Sequence, residues 1–193
     1  MEVTLRDLRK AGACYSGYNK VVRALQGKPF TEDDEDRETY IRYRHDEAIP
    51  LLFILGSNDL NDALWALRCV PGVDRDARLF AVWCARQVEY LMTDQRSRDT
   101  LDVAERFANG EATESELDAA WTAAQATAGA AAWTAAWTAA RDAAGAAAGA
   151  ARGAARAAWT ATWTVGAATR ASQKEMFIKM CRGEAPWQTT TTL

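Results

Sequence analysis

Apolar residues recur along this chain at steps of three and four, and no period of two persists between turn signals. That pattern predicts an all-α protein with no sheet. Leu5 and Leu8 mark a short helix over residues 4–11, interrupted by Gly12. A second helix fits Cys14–Leu25, stopping at Gln26-Gly27 ahead of Pro29. Ile49, Leu51, Leu52, Ile54 and Leu55 read as an apolar helix that ends at Gly56, with Ser57-Asn58-Asp59 as turn and cap. Leu60, Ala63, Leu64 and Leu67 share one stripe of the next, closed by Pro71-Gly72. Asp74 opens another that carries Leu79, Val82 and Leu91 to about Met92. The one after it starts at Ser97 or Arg98, turns Leu101, Ala104 and Phe107 inward, and ends at Asn109-Gly110.

From Thr113 the pattern changes. Thr113-Glu114-Ser115-Glu116 has the spacing of a capping box, so a long helix is expected to start there. No proline follows until Pro186, Gly183 is a natural stop, and the charged turn Lys174–Lys179 suits a helix C-terminus. About half of the residues from Ala119 to Ala171 are Ala. Ala132, Ala136, Ala139, Ala143, Ala147 and Ala150 start a stripe that continues at the same spacing to Ala168, repeating every eleven residues, as Ala136, Ala147 and Ala158 show. At about 100° per residue these positions form a bare methyl face. Trp133, Trp137, Trp159 and Trp163 fall on the opposite arc, interleaved with Arg141, Arg152 and Arg170. An unbroken helix from 114 to 182 would be roughly 100 Å long, more than twice the width of a compact domain of this size. The stripe favours continuity or a mere kink; compactness favours a fold-back at Gly145, Gly149 or Gly153. The expected organisation is a small N-terminal helical domain over 1–112, an Ala/Trp-rich long helix or helical hairpin over 113–183, and a tail over 184–193.

Composition narrows the function classes. The 193 residues fit one domain, or one small domain with an extended helix. A net charge of -3 gives no whole-chain argument for binding duplex nucleic acid or an anionic membrane. The N-terminus lacks a basic start followed by an apolar run, and the Ala tract carries several arginines, so neither a signal peptide nor a membrane span is expected. Cys14, Cys69, Cys84 and Cys181 are far apart and read as reduced thiols of a cytoplasmic protein. His45 is the one histidine, which argues against a His-based triad or a multi-His metal site. No phosphate-loop, dinucleotide or nucleophile-elbow pattern occurs, so no enzyme activity, metal or cofactor is expected.

Two features remain as candidate contact surfaces. Thr31–Glu38 is an acidic run that reads as a solvated loop or helix start, or as a docking patch for a basic partner. The Trp/Arg face, Trp133, Trp137, Arg141, Arg152, Trp159, Trp163 and Arg170, either supplies the buried area that Ala lacks or forms a recognition surface. The methyl stripe admits close approach of a second helix axis, from this chain or from another copy in a homo-oligomer.

Three segments carry a resemblance: Leu5–Cys14, Arg78–Arg86, and Ala104–Leu117 running into the Ala/Trp repeat. In this order the chain resembles the immunity-protein-5-like family of bacteria and phages, over nearly its whole length. The Gly-Glu-Ala-Thr junction at 110–113 is the most specific part, whereas Gly145, Gly149 and Gly153 depart from the family's usual repeats. The resemblance implies a non-enzymatic intracellular protein that neutralises a toxin or a host-defence component by binding it, and carries no residue roles with it. The alternative from the residues alone is a counter-defence sponge, in which Trp and Arg groups of the Ala-rich helix sequester a small nucleotide-like signal.

Overall fold

In the computed structural model the backbone is described for residues 1–92, 94–125 and 167–189, and side chains for 1–92, 94–122 and 170–189. The protein is all-α, with a single two-stranded sheet among the described residues. Contacts cluster into two units, Met1–Val70 and Pro71–Leu193. The boundary expected at residue 112 lies inside the second unit, at the turn before the capping box. The Ala stripe from Ala132 to Val165 and the glycines at 145, 149 and 153 lie outside the described residues, as does the question of one helix or two.

The first unit begins with strand β1 (Glu2–Val3) and helix α1 (Leu5–Lys10). Thr4 caps α1 reciprocally: its hydroxyl accepts the Asp7 N–H at 3.2 Å and its own N–H donates to the Asp7 carboxylate at 3.0 Å. Leu5 and Leu8 are buried, as their spacing requires. Helix α2 (Tyr15–Leu25) presents Tyr18, Val21 and Val22 inward, and α3 is a single turn, Glu32–Glu35. Strand β2 (Ile49–Pro50) pairs antiparallel with β1, Val3 opposite Ile49. Helix α4 (Leu51–Ser57) and helix α5 (Leu60–Ala66, capped by Asp59) follow, and a 3-10 turn over Leu67–Cys69 closes the unit.

The sheet corrects the expectation of none. Alternation cannot reveal strands two residues long, and Ile49 belongs to this ladder rather than to the helix after it. Pro50 explains the brevity: it has no N–H for a longer ladder and stands at the N-cap of α4.

The second unit opens with α6 (Asp74–Arg86) and continues through a 3-10 turn (Glu89–Leu91) to α7 (Gln95–Ala108). The helix expected to reach Met92 thus stops at Arg86. The chain turns so that Met92, 1% exposed, joins Ala85 and Leu101 in one apolar cluster. Helix α8 (Glu114–Gln125) starts at the predicted box: the Thr113 N–H and hydroxyl donate to Glu116 at 2.7 and 2.8 Å, and the Glu116 N–H returns to the hydroxyl at 3.2 Å. It packs on α7 through Leu117, with Val82 and Ala104 buried and Val103, Phe107 and Trp121 at the edge. Helix α9 (Ala167–Arg182) lies against α6, where Phe177 meets Phe80 edge-to-face at 6.2 Å. Gly183 ends it at a φ of 77°, a left-handed conformation that costs glycine least.

Candidate functional site

Of the sequence-predicted binding residues, Arg170 is described. It lies in the first turns of α9 and is exposed. Trp133, Trp137, Arg141, Arg152, Trp159 and Trp163 lie outside the described residues. Two other places, both in the first unit, have the geometry of a contact site.

One is the acidic run. Asp34 is buried, 1% exposed, and is gripped by Arg23 of α2, whose Nε and Nη2 donate to its two carboxylate oxygens at 2.8 and 2.6 Å. Thr31 caps α3 and donates its N–H and hydroxyl to the same side chain at 3.3 and 3.1 Å. The Arg23 hydrogen bonds, supported by Thr31 and opposed by burial, lower the Asp34 carboxyl from its ordinary 3.8 to about 2. One acid of the run is therefore structural. The others, Glu32, Asp33, Glu35, Asp36 and Glu38, stand exposed around it. The segment that follows is held to α2 without regular structure. Asn19, fully buried, donates to the Thr39 carbonyl at 3.0 Å and accepts the Ile41 N–H at 2.8 Å, while the Tyr40 hydroxyl donates to the Ala13 carbonyl at 2.6 Å. The sequence showed the acids but not the ion pair that fixes Asp34 among them, because Arg23 and Asp34 are eleven residues apart.

The other is a cavity of about 260 Å³ bounded by α1, α2, α4 and α5. Leu8, Val21, Ile54, Ala66 and the rings of Tyr18 and Trp65 make its walls, and Cys14, Asn58 and Asp62 bring polar atoms to it. Asn58 ties the elements together, its Nδ2 donating to the Gly17 carbonyl at 2.8 Å and to Asp62 Oδ2 at 2.7 Å. Cys14 caps α2, its sulfur accepting the Gly17 N–H at 3.3 Å. The signal available in the sequence was Gly17, a glycine inside a helix with no turn to explain it.

The remaining titratable groups are dispersed. His45 stacks on Tyr43 with ring centroids 6.0 Å apart and borders a shallow depression with Asp7 and Asp46. Asp7 is occupied as the α1 cap; hydrogen bonds from the Thr4 side chain, against some burial, lower its carboxyl. Burial raises the thiols of Cys69 and Cys84 and pushes Cys181 up to about 11, so these favour the protonated form. All four cysteines are free. Among the described residues no cluster of metal-ligating side chains occurs, and no helix is long and apolar enough to cross a membrane. No family model, curated protein or solved structure matches the chain.

Proposed function

We propose that this chain is a non-catalytic intracellular binding protein that neutralises a toxin or host-defence component carrying a basic surface. The observation that carries the reading is the acidic segment. Five exposed carboxylates between Glu32 and Glu38 surround an aspartate fixed by a bidentate arginine. Charge presented on an ordered support loses less conformational entropy on docking than charge on a free loop, and like charges in one place steer a cationic partner. The family resemblance points the same way, to neutralisation by occupancy.

The test compares the wild-type chain with a variant carrying E32Q, D33N, E35Q, D36N and E38Q, leaving Asp34 in place. Both are used as bait in lysate of the source cells, and the retained proteins are quantified by mass spectrometry, beside small molecules released on denaturation. A basic protein retained by the wild type, eluted by salt and lost from the variant is the expected result, and the purified partner's own activity should fall when the wild-type chain is added. Identical proteins on both baits, or release of a nucleotide with no differential protein, would overturn the proposal.

A further inference from the structure

The cavity beside Gly17 is independent of the acidic segment and asks for its own explanation. Gly17 lies within α2 and is not among the glycines with positive φ. Glycine at such a position costs about 1 kcal/mol relative to alanine, with no conformational return. What it provides is room. A Cβ there would sit 3.1 Å from Asp62 Oδ2 and 3.1 Å from the Cys14 sulfur, inside the space these groups border.

Tyr18, which lines the same space, is 1% exposed, and its hydroxyl has no hydrogen-bond partner among the described residues. A buried hydroxyl in that condition is destabilising until something enters to pair with it. Asp62 is half-buried and carries the only formal charge among the residues that line the cavity. Asn58 donates to one of its oxygens. The other has no partner among the described residues.

We propose that this cavity binds a small amphipathic amine, its ammonium on the Asp62 carboxylate and its apolar body against Leu8, Val21 and Trp65. A single carboxylate over apolar and aromatic walls selects a cation with a hydrophobic tail and repels an anion of the same shape. The volume agrees. About 150 Å³ holds a benzene ring in an engineered cavity, and 260 Å³ accommodates a ring with a short aminoalkyl arm. A ligand that also offers an acceptor near Tyr18 gains the hydrogen bond that hydroxyl lacks.

Phenethylamine and tyramine are the probes, with 3-phenylpropionate as the size-matched anion and AMP as a phosphate-bearing ligand. Isothermal titration of the wild-type chain should give saturable binding of both amines and none of the two anions. Alkylation of Cys14, the exposed thiol at the cavity, should slow as the amine saturates. Asp62→Asn should weaken the amines about tenfold or more while the circular dichroism spectrum stays that of the wild type. The chain with the 32–38 carboxylates neutralised should bind them unchanged, which separates this site from the acidic surface. Equal binding of amine and 3-phenylpropionate, preference for AMP, or unprotected Cys14 at saturating amine would overturn the proposal. Because the contrast between amine and anion is measured on the wild-type chain, it stands even if the variant folds poorly.

Discussion

Each of the two units is held together internally, and the balance of forces within them differs. In Met1–Val70, side chains bond to distant backbone: Asn19 to Thr39 and Ile41, Tyr40 to Ala13, Asn58 to Gly17. These bonds stand where helices are short and where residues 36–48 have almost no regular structure of their own. In the second unit, longer helices meet through apolar faces, Val82, Ala104 and Leu117 in one cluster and Ala85, Met92 and Leu101 in another. Directional bonds are present there too, from buried Thr100 to the Ala120 carbonyl at 3.1 Å. At the rim, half-buried Arg86 reaches Glu105 at 2.6 Å, Asp102 at 2.7 Å and Glu89 at 3.2 Å. The lesson is that a segment without regular structure, such as residues 36–48, has to be fixed by directional bonds, whereas long helices with matched stripes draw more on area and shape.

The largest expected effect follows from the apolar side of this contrast. Leu101 of α7, fully buried, packs with Ala85 of α6 and Met92, and Leu101→Ala should cost about 3 kcal/mol through lost transfer energy and the cavity left behind. Urea unfolding followed by circular dichroism measures it. A loss below about 1 kcal/mol would mean that the second unit collapses around the gap and is not packed as described.

Asn19→Ala should cost less, about 2 kcal/mol, because it leaves the Thr39 carbonyl and the Ile41 N–H without their partner. Its signature differs in kind. Residues 36–48 should become the first site of limited proteolysis while the second unit keeps its resistance. Protease cutting that begins in both units together would erase the distinction.

The smallest contrast is in acid. The Asp34 carboxyl titrates near 2 in the fold against an ordinary 3.8, so its contribution is complete above about pH 4 and is lost as pH falls toward 2. Asp7 is lowered likewise in the first unit, and Glu116, lowered by the Thr113 N–H and hydroxyl, is the counterpart in the second. Thermal melts between pH 5 and 2 should show destabilisation in that direction, and Asp34→Asn should flatten part of the slope at the expense of stability at neutral pH. An unchanged slope would mean that the Arg23–Asp34 pair does not persist in solution.

Helix ends were the most legible part of the fold, because caps are local chemistry. The Thr113–Glu116 box, the Asp59 cap and the stop at Gly183 can each be read within four residues. What escaped was set by partners far along the chain. The pairing of Val3 with Ile49 has no local signature, nor does the early end of α6 that returns Met92 to Leu101. The same holds for the candidate sites. The acidic run was visible, yet the role of Asp34 required Arg23. The cavity needed Gly17 of α2, Asp62 of α5 and Asn58 of the turn before α5 brought together. The Trp/Arg face, drawn from periodicity alone, meets the described residues only at exposed Arg170.

The hook after α9 bears on how the protein is made. The Trp187 indole N–H and the Gln188 amide both donate to Asp76 of α6, at 3.1 and 2.7 Å, across more than a hundred residues of sequence. Every contact that defines the first unit is available once Val70 has left the ribosome, so that unit can consolidate during translation. In the second, Phe80 can stack on Trp83 of its own helix at once, but its edge-to-face contact with Phe177 has to await synthesis of the last helix. During that interval the nascent chain carries an open apolar surface, the kind of exposure that recruits chaperones and invites aggregation.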